Sequence, residues 1–120
     1  MFTWDDVIDR YKVLEKGAIG LERSTLAGSM VQMLPALRVA MEEQFPNVQL
    51  SLAMLAVELR LPETPQAVVV QCAEQSLFEL RLIGREYEVL QEARATLPNV
   101  VEQVIKLLEI SKQQGEIPLG

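Results

Sequence analysis

A chain of 120 residues, 49% hydrophobic and 23% charged, can bury one core without disulfides or metals. Its net charge is −6, and its eleven basic residues form no cluster, which argues against a nucleic-acid backbone as partner. The absence of histidine removes His-based triads and His metal sites, and no apolar run is long enough for a membrane helix.

The acidic start, Met1-Phe2-Thr3-Trp4-Asp5-Asp6, lacks the basic-then-apolar layout of a signal peptide. With a single cysteine, this points to the cytoplasm. Thr3 and Asp6 stand at capping-box spacing, and Phe2 and Val7 take the two positions of a hydrophobic staple. Trp4, Val7, Ile8, Tyr11 and Leu14 follow at helical spacing, so a helix is predicted over 4–16, with Gly17 as a left-handed stop.

Residues 17–20 read as a loop. A second stripe, from Leu26 through Met30, Met33, Leu34, Leu37 and Met41 to Phe45, predicts one helix capped by Ser24. Pro35 interrupts it, but the stripe keeps phase across the proline, which favours one kinked helix over two. Phe45-Pro46 ends it.

Residues 48–61 alternate twice, with the phase reversing between Met54 and Leu55. A strand with a bulge near Met54 accounts for both halves. After the prolines at 62 and 65, Ala67–Cys72 reads as a short strand buried on both faces. Gly84-Arg85 fits a two-residue type II′ turn, which requires positive φ at Gly84 and pairs Leu82 with Tyr87 and Arg81 with Glu88. A competing reading makes residues 88–95 helical, and the end of that strand stays open. A last helix spans 98–114, with Glu102 and Lys106 as an i,i+4 pair and Gly115 as its stop.

The expected fold is α+β in the order α-α-β-β-β-β-α, an antiparallel meander with the helices packed on one face. Residues 1–120 form a single domain in this reading, with a short flexible tail over 115–120.

Few motifs carry chemistry. Asp5-Asp6-Val7-Ile8-Asp9 has the DDxxD spacing that holds magnesium in isoprenoid synthases, but acids in a first helical turn also complement the helix dipole. Gly17-Ala18-Ile19-Gly20 has the GxxG form of the KH-domain loop, without a preceding strand or a basic residue inside it. Cys72 reads as a buried structural thiol. The carboxylates left as general acids or bases are Asp9, Glu15, Glu58, Glu79, Glu86 and Glu88.

A non-enzymatic interaction or accessory protein of adaptor, immunity or chaperone-like kind is therefore expected, with no cofactor and no metal. The two apolar phases of residues 48–61 suggest a homodimer contact at Leu52, Met54, Leu55, Val57 and Leu59. Glu79, Arg81, Glu86 and Glu88 are expected on a polar sheet face. The alternative is a small-ligand binding protein or carboxylate-dependent enzyme with a pocket between helices and sheet, lined by Trp4, Met33, Leu37 and Tyr87.

Overall fold

The computed structural model describes residues 2–17, 20–53 and 56–116. The described chain forms α1 (Trp4–Gly17), α2 (Leu21–Gln44), β1 (Gln49–Ala53), β2 (Ala56–Arg60), β3 (Ala67–Glu74), β4 (Leu77–Ile83), β5 (Val89–Thr96) and α3 (Val100–Glu116). The strands make one antiparallel sheet in the order β1-β2-β3-β4-β5, a meander with the helices on one face.

The α1 capping box forms as its spacing requires. The Thr3 amide donates to Asp6 Oδ2 at 3.0 Å, and the Asp6 amide donates to Thr3 Oγ1 at 3.1 Å. Phe2 makes a backbone bridge to Leu50, which ties the N-terminus to β1. The helix continues through Gly17, and the glycine at positive φ is Gly20 (φ 106), which caps α2 instead. Ser24 is not the cap. It lies inside the first turn of α2, and its Oγ donates to the Glu15 carbonyl at 2.8 Å, fastening α2 to α1. Gly28 allows a close approach here, because a Cβ would stand 2.6 Å from Glu15 Oε2.

Pro35 lies within one unbroken α2, on its exposed side, while Met30, Met33, Leu34, Leu37 and Met41 are buried. The missing amide thus falls where water can serve the freed carbonyl. Phe45 closes the helix, its amide donating to the Met41 carbonyl at 2.7 Å. The last helix begins at Val100, not at Pro98, and passes through Gly115. The tail expected over 115–120 falls outside the described residues from 117 onward.

The sheet has five strands, not four. Residues 48–61 are no bulged strand but two paired strands: Leu50 lies opposite Leu59, Leu52 opposite Val57, and Ala53 opposite Ala56. With Ala53 opposite Ala56, the two strands invert the alternation just as one inserted residue would, since directly opposed residues share a face. Met54 and Leu55, where the bulge was expected, lie outside the described residues.

Residues 88–95 are not helical, since β5 runs from Val89 to Thr96. The β4–β5 turn is also longer than expected. The Tyr87 amide donates to the Gly84 carbonyl at 3.0 Å, and the Gly84 amide to the Glu88 carbonyl at 2.9 Å. Positive φ falls on Tyr87 (φ 64), not on Gly84. Arg81 consequently pairs with Glu92 instead of Glu88, and Leu80 with Ala93, while a bulge sits where Ile83 meets Val89 and Leu82 meets Gln91.

Val57, Leu59, Val68, Val70, Phe78, Leu80 and Leu82 point from the strands into the core. They meet α2 and α3, whose Val104 and Leu108 are fully buried; α1 packs along α2 and adds Val7 and Tyr11.

Candidate functional site

Among the described residues, no helix lies over the other face of the sheet. Strand alternation sets Glu58, Val69, Arg81 and Glu92 in one row across β2 to β5, and Ala56, Gln71, Glu79 and Arg94 in the next. The charged members interlock. Arg94 Nη2 donates to Glu79 Oε1 at 2.8 Å, Arg81 Nη2 lies 3.5 Å from Glu79 Oε2, and Arg81 Nε lies 3.7 Å from Glu92 Oε1. On β2, Arg60 Nη2 donates to Glu58 Oε1 at 2.9 Å, and Nη1 of the same guanidinium donates to the Pro65 carbonyl.

This is a charge mosaic of alternating sign, with Glu58 and Glu79 side chains 24% exposed and Arg94 70% exposed. Each pair is weak on its own, because solvent screens it and two long side chains must be ordered. As a surface, the mosaic is a fixed pattern of opposite charges that a partner of matching pattern can read.

Glu79 and Arg81 thus stand on the polar face foreseen from the sequence. Glu86 and Glu88 do not: both belong to the turn, where Glu88 Oε2 accepts from the Glu86 amide at 3.1 Å. Sequence reasoning missed Glu92 and Arg94, because it left the end of that strand open against a helical reading of residues 88–95. Alternation continued through Gln91-Glu92-Ala93-Arg94 was the signal that could have found them.

The residues expected at a dimer contact sit elsewhere. Val57 and Leu59 are fully buried beneath this chain's own helices, and Leu52 is half-buried against the same core. Once 48–61 is a hairpin, both apolar phases fall on one face, so the second side that needed cover does not arise. Met54 and Leu55 are outside the described residues.

The candidate pocket does not assemble either. Met33 and Leu37 are buried and Trp4 is half-buried, but Tyr87 is 73% exposed on the β4–β5 turn. A surface hollow of about 190 Å³ lies instead beside Phe45, Pro46, Leu61, Thr64 and Lys112.

Two acids of the DDxxD spacing are otherwise engaged: Asp5 Oδ1 accepts from Arg38 Nη1 at 2.7 Å, and Asp6 closes the capping box, while Asp9 is exposed. The hydrogen bond from the Thr3 amide, followed by that with the Thr3 hydroxyl, holds the Asp6 carboxyl below the usual range. Of the GxxG residues, Ala18 and Ile19 lie outside the described residues.

Cys72 is buried at the far end of β3, its Sγ donating to the Glu74 carbonyl at 2.9 Å. Burial pushes its thiol pKa up, which opposes nucleophilic chemistry. Nearby, Ser29 Oγ accepts from the Ser76 amide at 3.0 Å, anchoring the β3–β4 turn to α2.

Among the described residues, no group of three or more His, Cys, Asp and Glu side chains is placed to hold a metal ion, and no helix is long and apolar enough to cross a membrane. No protein-family model, no curated protein and no solved structure matches the chain.

Proposed function

We propose that this chain is a non-enzymatic interaction module of the cytoplasm that works as a homodimer and offers the open face of its sheet to a protein partner. The observation that carries this reading is the face itself: Glu58, Glu79 and Glu92 are each matched by an arginine, so they form a patterned surface. A carboxylate serving as general base needs burial and freedom to take a proton, whereas these are ion-paired and open to water on one side.

The test is co-purification from the protein's own cells. Charge reversal on β2, with Glu58→Lys and Arg60→Glu together, lies away from β5 and leaves the core untouched. The expected result is a folded protein that loses a partner bound by the unaltered chain. A partner retained in full by the doubly reversed protein would remove the open face from the reading. Asp9→Asn and Glu15→Gln are expected to leave cellular function intact; its loss in either variant, with folding preserved, would favour the carboxylate-enzyme alternative.

A further inference from the structure

We infer that β5 is the edge through which two copies of this chain join, antiparallel, about a two-fold axis at Ala93. The inference rests on the homodimeric form of the reading above and assigns it a surface.

The sheet has two edges. That of β1 is met by Phe2, which bridges to Leu50. The outer side of β5, an eight-residue strand, has no strand beside it among the described residues. Free edges are commonly blunted by bulges, prolines or charges. Here the bulge lies at the start of β5, and from Gln91 to Thr96 the pairing with β4 is regular. The charges are of both signs: Glu92 and Arg94 flank Ala93, their side chains 66% and 70% exposed on the open face.

That pattern is complementary to itself in one register. With Ala93 opposite Ala93 of the second copy, each Glu92 faces the other chain's Arg94. Opposite charges directly across an antiparallel pair attract, and like charges repel. Sliding by two residues either way sets Glu92 against Glu92 or Arg94 against Arg94. Sliding by one puts the open face of one copy beside the helix face of the other. The Ala93 register alone keeps both open faces on one side and the signs matched. It also extends the mosaic, since Arg81 and Glu92 of one copy are followed by Arg94 and Glu79 of the second. On the helix side, the axis carries only the small half-buried Ala93.

The test uses the full chain in solution. Light scattering across the micromolar range is expected to give a dimer mass. Glu92→Arg and Arg94→Glu each place like charges across the axis twice, and each is expected to weaken self-association by about tenfold or more. Each variant also sets like charges across β4–β5, at Arg81 or Glu79, so the circular dichroism spectrum and the urea midpoint are measured to show that the fold is kept. Mixing the two variants should restore the dimer mass, because two arginines of one chain then face two glutamates of the other.

A monomeric unaltered protein would overturn both the edge and the homodimer, while partner capture through β2 would still support the interaction reading. A dimer that survives both variants, or a mixture that stays monomeric, would overturn the edge and leave the homodimer standing.

Discussion

Strand β4 has two sides with opposite fates. Phe78, Leu80 and Leu82 are sealed under α2 and α3, while Glu79 and Arg81, between them in sequence, look onto a face that no helix covers among the described residues. One residue of offset separates the part of the protein that holds the fold from the part that can be read from outside. The covered side draws its stability from apolar surface removed from water, roughly 1.5–3 kcal/mol for a buried Leu or Phe. The open side is worth little per ion pair, generally about 0–1 kcal/mol, so its sequence is free to serve recognition.

The largest effect expected of a single change tests that division directly. Leu80→Ala should destabilise the fold by about 2–5 kcal/mol, because a fully buried side chain is removed from a packed interior. Arg81→Ala, its neighbour on the open side, should cost about 1 kcal/mol or less. Urea denaturation of both variants measures the contrast. Similar midpoints for the two would mean that the interior is loosely filled, as a ligand-binding pocket would require.

Within the covered side, the Tyr11 hydroxyl breaks the pattern. It is buried and has no hydrogen-bond partner among the described residues, and burial, more than the nearby Cys72, pushes its ionisation upward. A desolvated hydroxyl without a partner is a net cost. Tyr11→Phe removes it with the ring kept in place, and should raise stability by about 1 kcal/mol. A loss of similar size in thermal denaturation would show that the hydroxyl is satisfied in solution.

How much of this was legible depended on how local the signal is. The capping box was read from two residues three apart, and α2 was read across Pro35 because a helical stripe keeps its phase. Both are properties of one element. The paired strands of 48–61 were misread because parity cannot distinguish one bulged strand from two antiparallel strands, and the segment contains no Gly, Asp or Pro between its two apolar halves to announce a turn. Strand length could have decided it, since fourteen residues greatly exceed the usual five or six.

At the β4–β5 turn the sequence misled differently. Moving the partner of Arg81 from Glu88 to Glu92 preserves parity and charge sign, so the pattern agreed with a register that the chain does not adopt. Glu79 and Arg81 were placed on the open face by their own strand, whereas Glu92 and Arg94 depended on how far the next strand runs, which a competing helical pattern over 88–95 left open.

That turn offers the next sharpening, because β5 crosses from turn to edge immediately after it. Tyr87 holds φ at 64, which a side chain makes unfavourable by roughly 1–2 kcal/mol. Its ring is 73% exposed and contributes little burial. Tyr87→Gly should therefore stabilise the protein by up to about 1 kcal/mol, the relief of strain being partly offset by the flexibility of glycine. Gly84→Ala should cost little, since a Cβ there meets only the flexible carboxylate end of the exposed Glu88, which can swing aside. A raised thermal midpoint for Tyr87→Gly beside a nearly unchanged one for Gly84→Ala would confirm where the left-handed residue of this turn lies, and loss of stability in Tyr87→Gly would put it elsewhere.

The smallest expected effect lies at Asp6, in the exposed first turn of α1. Its carboxyl is held below the usual range, first by the Thr3 amide and then by the Thr3 hydroxyl. A carboxylate whose folded pKa lies below its unfolded value contributes stability above the unfolded pKa. That contribution is lost as pH falls through the folded one. Asp6→Asn keeps the shape of the side chain and removes the charge. The stability gap between the two proteins should therefore be constant near neutrality and narrow as pH drops below about 4, where Asp6 of the unfolded chain begins to protonate while that of the folded chain is still ionised. Because the capping box is exposed, added salt should shrink the gap as well. A gap independent of both pH and salt would mean that the helix is held at its start by packing, through Val7 and the Phe2 bridge to Leu50, and that the ionised cap adds nothing to it.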